Sequence, residues 1–163
     1  NRLLGGVARA ETDGCRLCQS GRDESGGDEM RPLMSTDSET LMREGIRAAE
    51  KTYPEFLETV GWEATGFDKT FCHQVGRAHH KLLFESLDLE SSIDYSTLEY
   101  LGNTGSAALP TAASIGIENG HLAKDDRLAL LGIGSGINVL MLGVDWQTSL
   151  VETPRIPVAQ ATS

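Results

Sequence analysis

Positive charge is scarce in this chain: 14 lysines and arginines stand against 24 acidic residues, for a formal charge of -10 over 163 residues. Neutralising a phosphate backbone takes a dense basic face, and no Lys/Arg cluster supplies one, which counts against nucleic acid as a partner. A local basic pocket for an acidic coenzyme or carrier stays open, because net charge does not describe a single cleft. Long apolar runs are also missing. Nothing approaches the ~20 residues that a bilayer-spanning helix needs, and no signal-peptide pattern opens the chain. Cysteine is rare. Three residues, an odd number without disulfide-scaffold spacing, suit a reducing cytoplasm. Cys15-Arg-Leu-Cys18 is a lone C-x-x-C with no second ligand pair to close a tetrahedral zinc site. It also falls in a loop rather than at the strand-to-helix turn of a redox pair. The two cysteines read as incidental, and neither a metal nor a stable disulfide is expected.

What is present reads as one unit of alternating strands and helices. Residues 2–10, "RLLGGVARA", form an apolar strand with a Gly5-Gly6 bend. The chain opens on Asn1 directly into this strand, so a preceding segment is expected. Residues 11–37 are polar and rich in Gly, Ser and Asp, and read as a long connecting loop. A helix follows, with Ser35 or Asp37 as its cap and Leu41, Ile46, Ala49 and Tyr53 on one face. Pro54 should kink it or start a second helix. "KTFCH" is a short strand, and Val75–Leu87 an amphipathic helix with Val75, His79, Leu82, Leu83 and Leu87 inward. "DYSTLEY" reads as another strand, and "SAALPTAASIGIENG" as a small-residue helix stopped by Gly120. "DRLALLGIGSGINVLMLGVDW" is two strands joined by a Gly-rich bend, and the residues after Trp146 are a tail with Pro154 and Pro157. The order is that of an α/β fold with helices packed on a mixed sheet.

Three of the four histidines fall within eight positions of "KTFCHQVGRAHHKLLFESL". His79 and His80 are neighbours on a helix, about 100° apart, and cannot share a metal; one packs and the other faces solvent. Cys72 and His73 alternate along a strand, so Cys72 points to the core as a small hydrophobe when His73 points to the cleft. His73 ends a strand just before a helix, where α/β folds expose functional groups. On position alone a satisfied structural histidine is the commoner reading. Asn103, in "LGNTG", occupies the same junction in the next unit. "GIGSGINVLML" lets backbone N–H groups turn towards a ligand. It is a weak phosphate loop, lacking a following Lys-Ser/Thr and leading into a strand. Arg43, Arg47 and Lys51 form an i, i+4, i+8 stripe that reads as a solvated face.

His73-Gln74, then Asn103 in a Gly-Asn-Thr turn 30 residues on, then the Gly-rich bend before a final apolar strand: together these resemble the thiolase superfamily. The combination looks most like the C-terminal half of ketoacyl-ACP synthase III-type condensing enzymes. Within them it is closest to the head-to-head acyl-CoA condensing enzymes of olefin and β-lactone biosynthesis, the OleA type. "HQVG" and Ser135 in the bend carry that narrower likeness. The resemblance covers residues 1 to about 146. It implies a thiolase-like α/β fold, the C-terminal half of αβαβα layers, and a Claisen condensation of fatty acyl-CoA to a β-keto acid product. It gives His73 and Asn103 the catalytic role of paired donors to the donor thioester's carbonyl oxygen, where enolate charge develops. The backbone N–H of Ser135 would serve the tetrahedral oxyanion. Cys72, His79 and His80 are left as bystanders.

No residue matches the family's nucleophile motif. The resemblance therefore assigns residues 1–10 to the last strand of an N-terminal half, 11–36 to a connecting loop, 37–146 to the C-terminal half and 147–163 to a tail. It implies as partner a missing N-terminal half carrying the nucleophilic cysteine, and a dimer. No cofactor is implied beyond acyl-CoA or acyl-ACP as substrate. The small-residue helix is expected to press against that other half. A decarboxylative 3-oxoacyl-ACP synthase III remains open, as does a non-catalytic half supporting a partner subunit. A basic patch at Arg77 or along Arg43, Arg47 and Lys51 would favour a carrier protein.

Overall fold

The computed structural model describes residues 1–23, 31–64 and 66–151. Four strands form a mixed sheet in the order β1-β6-β5-β4: β1 (Arg2–Ala10), β4 (Lys69–Cys72), β5 (Arg127–Gly134) and β6 (Asn138–Asp145). β5 and β6 form the antiparallel pair joined by the Gly-rich bend, and β4 runs parallel to β5. β1 pairs antiparallel with β6 from Arg2↔Asp145 to Ala10↔Asn138, with a register irregularity between Leu3 and Gly5. Residues 2–10, expected as the last strand of a preceding half, thus lie at the edge of this sheet. An apolar run looks the same whichever sheet it joins, and here it joins this one. Gly6 permits the pairing to close, because a Cβ there would lie 2.4 Å from a Leu142 methyl and 2.7 Å from the Met141 carbonyl.

The segment 11–36 is not a plain loop. A 3-10 turn at Thr12–Gly14 leads to an antiparallel hairpin of β2 (Cys18–Asp23) and β3 (Arg31–Thr36). Cys18 thus lies on a strand. α1 (Ser38–Val60) is capped by Asp37, whose side chain accepts from the Thr40 N–H at 3.1 Å. That bond holds the Asp37 carboxyl below its usual range. Gly61, at φ 71°, ends the helix. α1 runs through Pro54 as one helix, against the expected break. An interior proline costs about 3 kcal/mol, but the flanking Tyr53 and Phe56 are 6% and 0% exposed. Burial of one such side chain contributes roughly 1.5–3 kcal/mol, so packing of α1 on β1 and β6 outweighs the lost bond.

α2 (Arg77–Ser86) begins two residues later than Val75. Of the expected inward stripe His79, Leu83 and Leu87 are buried, with Phe84 beside them, while Val75 and Leu82 are exposed. "DYSTLEY" is no strand either. Only Asp94 bridges to Thr70, and α3 (Leu98–Leu101) is a single turn. α4 (Ala108–Glu118) ends before Gly120, at φ 73°. Its stripe Ala108, Ala112 and Gly116 is buried against the protein's own sheet: a Cβ on Gly116 would lie 2.5 Å from the Phe71 ring. The small residues of this stripe therefore serve contact with β4. Two apolar clusters result, one around Phe56, Cys72, Leu131 and Met141 and one around Phe71, Ala112, Leu128 and Trp146. Residues 147–151 carry no regular structure, and the tail's Pro154 and Pro157 lie outside the described residues. No described helix is long and apolar enough to cross a membrane.

Candidate functional site

A cavity of about 600 Å³ opens where β4 ends and the β5–β6 bend begins. Its walls come from the first turns of α1 (Ser38, Leu41, Met42, Gly45), the β2–β3 hairpin (Cys18, Met34, Thr36) and the bend (Ile133, Gly134, Ser135, Ile137). His73, His79 and Asn103 complete it. The three residues singled out by sequence, His73, Asn103 and Ser135, line one cavity.

His73 is placed by the sheet. Its backbone N–H donates to the Leu131 carbonyl at 2.9 Å, extending the β4–β5 ladder by one bond. Half-burial pushes its imidazole pKa down, so the neutral ring, with one N–H to donate, is favoured. Cys72 is fully buried on the other side of the strand, and its thiol is pushed well up by burial and by the charge of Asp94. It is no nucleophile.

Asn103 is placed by side chains. Gln74, 3% exposed, donates through Nε2 to the Tyr95 carbonyl at 3.2 Å and accepts at Oε1 from the Thr97 N–H and hydroxyl, at 3.0 and 3.1 Å. These bonds do the work that a strand partner would do, which is why 94–100 reads as a strand yet is none. The chain then turns through α3 to Asn103, whose Oδ1 accepts from the Gly105 N–H at 2.9 Å. With Oδ1 engaged in this Asx turn, the exposed amide presents its NH₂ group as the free functionality. Ser135 sits in the bend, and its carbonyl accepts from Asn138 Nδ2 at 3.2 Å.

Two residues regarded as bystanders enter the site. His79 is 5% exposed and lines the cavity, and its Nδ1 has no hydrogen-bond partner. Burial, reinforced by His73 and His80, pushes its pKa down to about 4, so it too is neutral at pH 7. Its neighbour His80 turns away to Asp94, at 2.9 Å. Cys18 also lines the cavity, its sulfur accepting from the Thr36 hydroxyl at 3.5 Å. No local spacing rule flags a hairpin cysteine or a histidine one turn into a helix as sharing a wall with His73. Among the described residues no group of three or more His, Cys, Asp or Glu side chains is arranged to hold a metal, and all three cysteines are free.

The basic stripe is matched by acid. Arg43 pairs with Glu39 at 3.4 Å, Arg47 with Glu44 at 3.3 Å, Lys51 with Glu11 at 3.3 Å, and Arg77 with Glu99. Such exposed pairs add little stability, but they leave no run of uncompensated positive charge along α1 for a carrier.

Comparison with known proteins gives the chain a family. Residues 57–146 match the family model described as 3-oxoacyl-[acyl-carrier-protein] synthase III C terminal. An acyl-CoA:acyl-CoA alkyltransferase of Shewanella oneidensis is 36% identical over 146 residues, which are 90% of this chain and 42% of that protein. A beta-ketoacyl-[acyl-carrier-protein] synthase III of Bacillus cereus is 30% identical over 108 residues, 64% of this chain and 33% of that protein. The crystal structure of Xanthomonas campestris OleA with bound lauric acid and lauroyl-CoA superposes with a TM-score of 0.77 at 36% identity, covering 89% of this chain and 40% of that one. The chain thus spans about 40% of the length of these alkyltransferase relatives.

Proposed function

The chain belongs to the 3-oxoacyl-[acyl-carrier-protein] synthase III C-terminal family of the thiolase superfamily, and from that membership we propose that it is the catalytic C-terminal portion of an acyl-thioester condensing enzyme. A nucleophilic thiol outside these residues first takes an acyl group from a thioester. The α-carbon of a second acyl thioester then loses a proton to a base that, like the thiol, lies outside these residues, and attacks that acyl carbon. A C–C bond forms, the C–S bond to the nucleophile breaks, and the thiolate recovers a proton. Enolate charge develops on the second thioester's carbonyl oxygen. The neutral N–H of His73 and the amide of Asn103 donate to it, each worth about 2.7–4 kcal/mol in comparable oxyanion holes. The Ser135 backbone N–H serves the oxyanion on the acyl carbon.

The single observation that carries this reading is the cavity shared by His73, Asn103 and Ser135, with Asn103 Oδ1 already occupied and its NH₂ group left over. The apolar lining from Met34, Leu41, Met42 and Ile133 suits an alkyl chain. Identity to the alkyltransferase over 90% of the chain, against 64% for the synthase relative, supports acyl-CoA rather than malonyl-ACP as the donor. Leu3 and Leu140, 62% and 46% exposed on the paired strands β1 and β6, support association with the portion that bears the nucleophile.

Intact-protein mass spectrometry beside product formation tests the proposal in the complete enzyme. His73→Ala and Asn103→Ala are expected to accumulate acyl-enzyme and to lose condensation by about 10²–10³-fold. Cys18 is expected to stay unacylated. Normal condensation in either variant, or an acyl group on Cys18, overturns the assignment.

A further inference from the structure

His80 is not used by the mechanism above, yet it makes the shorter of the two bonds that its partner carboxylate accepts. Asp94 Oδ2 lies 2.9 Å from His80 Nε2, and Asp94 Oδ1 accepts from the Cys72 backbone N–H at 3.1 Å. A carboxylate only accepts, so the ring donates. The Asp94 side chain is 1% exposed and that of His80 26%. The ring also stacks on Phe84 of α2, with centroids 4.2 Å apart and planes 19° from parallel. A carboxylate closed off from water needs both oxygens paired, and His80 supplies the partner that the backbone does not.

The two peptides that flank Cys72 are consequently held from opposite sides. On one side His73 N–H bonds the Leu131 carbonyl, and on the other Cys72 N–H bonds Asp94, which is itself braced by α2. Asp94 also begins the segment whose Tyr95 and Thr97 are clamped by Gln74 on the way to Asn103. One buried carboxylate therefore ties the end of β4, helix α2 and the start of the Asn103 arm to one another. Resting on the condensing reading, we propose that His80 and Asp94 form a positioning pair that sets the placement of His73 relative to Asn103, acting through the Cys72 backbone and touching no substrate.

The variant His80→Phe keeps the stack on Phe84 and removes the donor. His80→Gln restores a donor of similar reach. In the complete enzyme, His80→Phe is expected to slow condensation on the order of 10-fold, with acyl-enzyme formation and the KM for acyl-CoA within about twofold of the unsubstituted protein. His80→Gln is expected to recover most of the rate. Loss of acylation and condensation in equal proportion, an unchanged condensation rate, or no recovery in His80→Gln overturns the proposal. Long-range ¹H–¹⁵N spectra of the histidine rings, with His73 assigned through His73→Ala, provide a readout independent of turnover: His73 is expected to shift in His80→Phe and to return in His80→Gln. If the unsubstituted enzyme forms no acyl-enzyme, the condensing reading fails, and the ring spectra then decide the positioning pair by themselves. Unshifted His73 resonances in His80→Phe overturn it.

Discussion

The two donors of the cavity are held in opposite ways. His73 is half-buried and continues a parallel ladder, so its position is a property of the sheet. Asn103 is exposed at the end of a segment that has lost its ladder, and Gln74 replaces the missing strand partner with three side-chain bonds. Sheet placement is robust to single substitutions, because many backbone bonds share it. Side-chain placement is concentrated in one residue. A site that must align two donors on one oxygen can thus be misaligned far more easily from the Asn103 side.

Removal of the donors themselves has the largest expected effect and asks whether unequal support means unequal importance. His73→Ala and Asn103→Ala should cost condensation alike, since both groups serve the same charge. A large loss for His73→Ala only would show that the weakly held donor is dispensable. Next in size is acid sensitivity, which separates the buried histidine wall from the exposed asparagine arm. The folded pKa of His79 is about 4, below an unfolded value of about 6.5. The unfolded chain therefore takes up the proton first, and the stabilisation is complete above pH 6.5 and lost as pH falls towards 4. The loss is about 3 kcal/mol by linkage. His73, shifted the same way by burial, adds to it. Urea unfolding of the complete protein at pH 7 and pH 4.5 checks this, and His79→Leu should flatten the difference. The smallest change falls on the clamp. Gln74→Leu leaves Thr97 N–H, its hydroxyl and the Tyr95 carbonyl without partners, at about 1–3 kcal/mol. Condensation should fall while acylation persists, read by the same mass-spectrometric pair of measurements. Equal loss of both would place Gln74 in the core rather than in the Asn103 arm.

Much of this was legible in local pattern, because the patterns concerned are local. The apolar runs of β1, β5 and β6, the bend at Gly134–Gly136, the Asp37 cap and the stop at Gly120 each depend on a few adjacent residues. So did the convergence on His73, Asn103 and Ser135, which rested on three short motifs in order. What escaped depends on distant partners. Strand-like alternation at 94–100 is cancelled by Gln74, some twenty residues earlier. The β2–β3 hairpin is built from Gly-, Ser- and Asp-rich sequence that reads as loop. The sheet to which residues 2–10 belong is decided by residues 138–145. His79 joins the cavity through the angle at which α2 leaves the His73 turn, and no spacing rule encodes that angle.

The pairing of β1 with β6 has a kinetic consequence. β5 and β6 are joined by a short bend and can meet by local search, whereas Arg2 must find Asp145 across nearly the whole described chain. The entropy of closing a loop rises with its length and has to be met before the contacts return anything. On a ribosome β1 emerges long before β6 exists, and for that interval the apolar surface of "LLGGV" must stay sheltered or be held by another chain. Of the four strands of this sheet, the edge that completes it therefore waits longest for its partner during synthesis.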